Sequence, residues 1–140
     1  MPSDIRTKPV STKVLWTGRI LSALPILLLL FSGGMKVLKL GPVVEGFEHF
    51  GYPQNTILPI GIAEIASAIL YAIPQTAMLG AILLTGFLGG ATATHVRAGE
   101  PFIVPVIVGV VVWLGLFLRD KRLRALVPLR TLHRSADQET

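Results

Sequence analysis

The sequence predicts an all-α membrane protein of one domain: an antiparallel four-transmembrane-helix bundle with a short interfacial helix between the first two spans. Three observations lead there. Of 140 residues, 51% are hydrophobic and 15% charged, a balance that suits neither a soluble domain nor a disordered chain. The apolar residues are gathered into four long blocks. Nearly all the charges fall between or outside those blocks, as the cost of placing a charge in hydrocarbon requires.

The spans are expected at about 16–38, 57–74, 76–96 and 102–118, followed by a basic tail at 119–140. The first block is long enough to cross a hydrocarbon core of ~30 Å at ~1.5 Å per residue. Trp16 and Arg19 mark its first interface, and Pro25 inside it predicts a kink, because the apolar run continues on both sides. A cleaved signal peptide is the rival reading, since basic residues precede an apolar run ending in Ser32, Gly33 and Gly34. The run is long for such a peptide and continues through Val37 and Leu38, so an anchored helix is expected.

Lys and Arg set the orientation. An even number of spans places both ends in one compartment. Arg6, Lys8, Lys13 and Arg19 at one end and Arg119, Lys121, Arg122, Arg124, Arg130 and Arg134 at the other then share a side, leaving Lys36, Lys39 and Arg97 opposite. Both termini are therefore expected in the cytoplasm. Pro74 and Gln75 alone separate the second and third blocks, which makes these a tight hairpin. In the outer segment from Gly41 to Asn55, Pro42 takes a helix-start position and Val43, Val44, Phe47 and Phe50 recur at near-helical spacing, which suggests a short interfacial helix across the bundle mouth.

Within the second block, Gly61, Glu64, Ser67, Ala68 and Tyr71 fall on one helical face, and Leu58, Ile62, Ile65, Ile69 and Ile73 on the other. A carboxylate is expensive in hydrocarbon, so the small, polar face should turn inward. Glu64 then lies roughly 10 Å below the outer surface. Ser32 and Lys36 on the first helix, and Thr92, His95 and Arg97 on the third, reach the same depth and are candidates for a shared pocket with it. The bland alternatives are a Glu64–Lys36 pair that only fixes helix register, a solvated His95, and loop charges at Arg97 and Glu100.

In the third block Ala77, Ala81, Thr85, Gly89 and Ala93 recur every fourth residue, and Gly86 and Gly90 form a GxxxG step beside them. Gly86, Gly89 and Gly90 are therefore expected to pack neighbouring backbones, with this helix central. The fourth block is valine-rich nearly all round, interrupted only by Gly109 and Gly115, and is expected to be peripheral or to face another subunit.

The chain has no cysteine, which excludes disulfides and thiol chemistry for this chain by itself. There is no Walker loop, dinucleotide fingerprint, HExxH or nucleophile elbow; GFLGG inside an apolar block reads as packing. No catalytic residue and no metal ligand set is expected. The basic tail is the positive-inside signature of a segment tied to the membrane, so nucleic acid is not an expected partner.

Several segments together resemble the DoxX-like family of small four-helix membrane proteins: SGGMKVLKL, VVEGFEHFGYP, GIAEIASAILYAIPQTAMLGAILLTGFLGGATATHVR and LFLRDKRLRALVPL, covering about Leu15 to Leu129. Lys36, Glu64 and His95 fall where that family's polar positions are expected. The resemblance implies a non-catalytic subunit of a membrane redox complex in the bacterial cytoplasmic membrane, holding a quinone or lipid-like molecule while a partner supplies the redox centre. Two other readings stand beside it: a small carrier or channel component with Glu64 as coupling group, and a purely structural assembly subunit or homo-oligomer.

Overall fold

The computed structural model describes residues 11–126, which fold entirely into helices and their connections. Most of the basic tail, including Arg130 and Arg134, lies outside the described residues.

Helix α1 (Thr12–Val37) runs unbroken through Pro25, which is buried. It ends in a Schellman turn: the Leu40 N–H donates to Met35 O at 3.2 Å and the Lys39 N–H to Lys36 O at 3.0 Å. Lys39 sits in the left-handed position of this turn at φ 48, which glycine usually holds. Helix α2 (Gly41–His49) begins with Pro42 in its first turn, where a missing donor has no consequence. It closes on the left-handed Gly51, and a 3₁₀ turn at Gln54–Thr56 leads into α3 (Ile57–Ala72). Ile73 is extended before Pro74, whose ring disfavours a helical conformation in the preceding residue. Helices α4 (Ala77–Ala98) and α5 (Ile103–Arg119) follow, with Gly99 left-handed between them. A short α6 (Lys121–Leu126) was not anticipated. It follows from Asp120, whose carboxylate accepts the Arg122 N–H at 2.8 Å and so caps the first turn.

Three of these helices, extended by the 3₁₀ turn in the case of α3, are long and apolar enough to cross a membrane, and the apolar α5 is slightly shorter. Helix α1 packs against α3 and α5, and α4 packs against the same two. The C-terminal part of α1 meets the N-terminal part of α3 at Gly33 and Gly61; its N-terminal part meets the C-terminal end of α5 at Gly18 and Leu118. The core between them is formed by Leu29, Ala68, Tyr71, Ala81, Leu84, Val112 and Leu116.

The buried set of α3 contains Gly61, Glu64, Ser67, Ala68 and Tyr71, the face expected to turn inward, while Leu58, Ile62, Ile69 and Ile73 are exposed. Ile65 departs from that division: it is half-buried, because its side chain fills the space over Gly33.

The reading of α4 is corrected. A Cβ placed on Gly86, Gly89 or Gly90 would meet nothing within 4 Å, so among the described residues those glycines pack against no neighbour. The buried residues are Ala77, Gly80, Ala81, Leu84 and Leu88 instead. A step of four residues overshoots a helical turn by about 40°, so a stripe repeating every fourth residue spirals away from the face it starts on. Ala77 and Ala81 are inside; Thr85, Gly89 and Ala93 have rotated out.

The close approaches are elsewhere. A Cβ on Gly80 would collide with the Tyr71 backbone, and one on Gly115 would lie 2.9 Å from Ser22 N. Helix α5, expected to be peripheral or to face another subunit, is thus pressed tightly against α1 on its Gly115 side, and α1 rather than α4 has the most extensive packing.

Candidate functional site

Two polar groupings occupy the end of the bundle opposite the basic tail. The first joins α1 to α3. Lys36 Nζ donates to Glu64 Oε2 at 2.7 Å and to Ser32 Oγ at 2.6 Å. Ser32 and Lys36 stand one helical turn apart on α1, so both reach one point on α3. Gly33 and Gly61 allow this, since either Cβ would press within 3.2 Å of the other residue's carbonyl oxygen. The Glu64 side chain is 2% exposed and that of Lys36 15%. A carboxylate so deeply placed needs a countercharge, and the lysine stem supplies one while its other end stays near the surface.

The second grouping lies under α2. Phe47 and Phe50 from α2 and its end, Tyr52 from the following loop, Ile60 from α3, and Phe87, Thr94 and His95 from α4 surround a pocket of about 340 Å³. Gly86 and Gly90 line the same pocket, so these exposed glycines leave room for it rather than seat a helix. The Tyr52 hydroxyl is 2.7 Å from Thr94 Oγ1. His95 Nδ1 lies 2.8 Å from Ala91 O, and a carbonyl only accepts, so Nδ1 carries the hydrogen. Nε2 has no hydrogen-bond partner among the described residues. The ring of His95 rests on Phe50 at 5.0 Å between centroids.

The cover is fastened from below. Arg97 Nη2 donates to Phe50 O at 2.6 Å, with its guanidinium 5.7 Å from the Tyr52 ring centroid. His49 Nε2 meets Glu100 Oε1 at 3.0 Å, an exposed contact that contributes little energy. Arg97, a plain loop charge on the bland reading of the sequence, holds the end of α2 and its following loop over the end of α4, while Glu100 only meets His49 at the surface.

The single shared pocket expected from Ser32, Lys36, Glu64, Thr92, His95 and Arg97 is therefore two neighbouring sites. Phe87 stands at their boundary: it lines the aromatic pocket, and its ring centroid is 6.0 Å from Lys36 Nζ. Thr92 faces a different groove, between α4 and α5.

The model of the DoxX-like family matches residues 20–115. The chain belongs to the DoxX-like family. Comparison with curated proteins and with solved structures gave no match. Family membership and the apolar helices together make this DoxX-like chain an integral membrane protein.

At its opposite end the DoxX-like chain holds a network that sequence reasoning did not assemble. The Tyr71 hydroxyl donates to Val112 O at 2.6 Å and lies 3.1 Å from Ser22 Oγ. Arg119 Nη2 donates to Tyr71 O at 2.6 Å, its guanidinium 4.7 Å from the ring centroid. This links α1, α3 and α5. The inward position of Tyr71 was legible, but nothing in the spacing of Ser22 or Arg119 pointed to it.

Proposed function

We propose that this DoxX-like protein spans the bacterial cytoplasmic membrane four times as an antiparallel bundle, with both termini cytoplasmic. It serves as a non-catalytic subunit of a membrane redox complex, retaining a quinone or a similar flat, lipid-like molecule under α2. The observation that carries this reading is the aromatic pocket with His95 in its wall. Its volume of about 340 Å³ lies in the range of small-molecule sites. Four aromatic side chains offer faces and edges to a planar ring. With hydrogen on Nδ1, a neutral His95 presents Nε2 as an acceptor for a ligand hydroxyl. In this reading the ring of the ligand occupies the pocket and its tail stays in lipid. A partner subunit supplies the redox centre, and this chain, which has no cysteine, brings no thiol chemistry to it.

The test is purification of the native complex in mild detergent, followed by organic extraction and identification of quinones and lipids. Wild-type protein should retain such a molecule, and Gly90→Phe, which fills the pocket from its α4 wall, should not. Equal extracts from both proteins would remove the pocket from the account.

A further inference from the structure

At the end of the bundle that carries the basic residues, a second cleft of about 520 Å³ is lined by Arg19, Pro74, Gln75, Ala77, Leu116, Arg119, Asp120, Lys121 and Arg122. We propose that it is a binding site for a phosphate-bearing anion, the headgroup of an anionic phospholipid being the source that its position favours.

Three separate segments build it. Gly18 lets the start of α1 approach the end of α5 so closely that an added Cβ would lie 2.9 Å from Arg119 N, and this brings Arg19 beside Arg119. The α3–α4 hairpin contributes Pro74 and Gln75, and the start of α6 contributes Lys121 and Arg122. Four cationic side chains thus face one carboxylate, and Asp120 already accepts the Arg122 and Leu123 amides. Neither salt bridge among the described residues involves any of the four. Four cations against the one carboxylate of Asp120 leave a surplus of three positive charges among the described residues of the cleft.

Geometry favours a lipid source. Arg119 is fixed, with Nη2 on Tyr71 O, so its position does not have to be ordered by a ligand. Arg19 lies 5.5 Å from the ring centroid of the exposed Trp16. An indole beside a guanidinium is the usual marker of the headgroup level, and the buried Leu116 gives the cleft an apolar floor. Juxtamembrane Lys and Arg attract anionic headgroups, each charge giving about a fivefold gain in binding. A pocket that collects four of them from three segments adds a defined geometry to that attraction.

The test compares wild type with the triple variant Arg19→Gln/Lys121→Gln/Arg122→Gln, all three sites being exposed and outside the Tyr71 network. A control, Lys13→Gln/Lys39→Gln/Arg124→Gln, removes the same charge from described residues outside the lining of the cleft. Each protein is placed in phosphatidylcholine nanodiscs with and without phosphatidylglycerol, then released into detergent, and its bound lipids are counted by native mass spectrometry.

Wild type and control should retain phosphatidylglycerol, and the triple variant should lose it by roughly tenfold or more. The charge-preserving variant Arg19→Lys/Lys121→Arg/Arg122→Lys should retain it, which separates loss of charge from loss of fold. In a second arm, inorganic phosphate is compared with chloride at equal ionic strength by thermal unfolding. Stabilisation of wild type but not of the triple variant by phosphate alone would assign the site to a soluble phosphate. Equal loss in control and triple variant, or no loss in either, would overturn the proposal.

Discussion

Lys36 Nζ and Glu64 Oε2, separated by 28 positions in the chain, are 2.7 Å apart where α1 crosses α3 at Gly33 and Gly61. The pair neutralises the buried carboxylate and, with the Tyr71 hydroxyl 3.1 Å from Ser22 Oγ nearer the other end, gives two mostly apolar helices a directed contact.

Glu64→Gln should leave Lys36 without a countercharge and destabilise the protein by about 3 kcal/mol, and adding Lys36→Met should restore much of the loss. Thermal unfolding in detergent of the two single variants and the double variant measures the coupling. Ligand retention measured beside it distinguishes a second role: a Glu64→Gln protein that is folded yet has lost its ligand, and is not rescued by Lys36→Met, would show that the carboxylate serves the ligand as well as the fold.

The close helix contacts make an opposite prediction for two sets of glycines. Gly80→Ala and Gly115→Ala place a methyl group against backbone of α3 and α1, and each should lower stability by about 1–3 kcal/mol. Gly89→Ala meets open space and should be neutral or slightly stabilising through helix propensity. Equal effects in thermal unfolding would mean that α4 has a partner over its glycine face.

Tyr71→Phe removes the hydroxyl that meets Val112 O and Ser22 while leaving the ring under Arg119. A loss of about 1–2 kcal/mol is expected, with the helices still assembled. Tyr71→Ala should cost more, because it also opens a cavity beneath the guanidinium. A Tyr71→Phe protein as stable as wild type would show that the hydrogen bonds are replaced by water.

Lys39 occupies a left-handed position at φ 48. Lys39→Gly should raise stability by roughly 0.5–1 kcal/mol, since glycine takes this conformation without the clash of a Cβ. The urea midpoint of detergent-solubilised protein checks the sign.

The proposed orientation places a reporter fused at Thr140 in the cytoplasm and one inserted between Gly41 and Asn55 outside. A C-terminal reporter outside would overturn the four-span arrangement.

Sequence alone determined the five longer helices, though not α6, because in a bilayer the backbone must satisfy itself locally and apolar length is written residue by residue. It also placed Glu64 and Tyr71 on the inward face of α3, since a face on one short helix depends only on local periodicity, and it brought Lys36 to the depth of Glu64. The tertiary structure decided which helices touch. The small residues of α4 are compatible with close packing wherever they point, so only the partner surfaces show that Gly80 is pressed against α3 while Gly86, Gly89 and Gly90 stand open. The same holds for His95 and Phe50, 45 positions apart in number, and for Arg19 and Arg119. Each pair is joined by helix crossings that no local pattern encodes, and a site built from several segments exists only once those crossings are made.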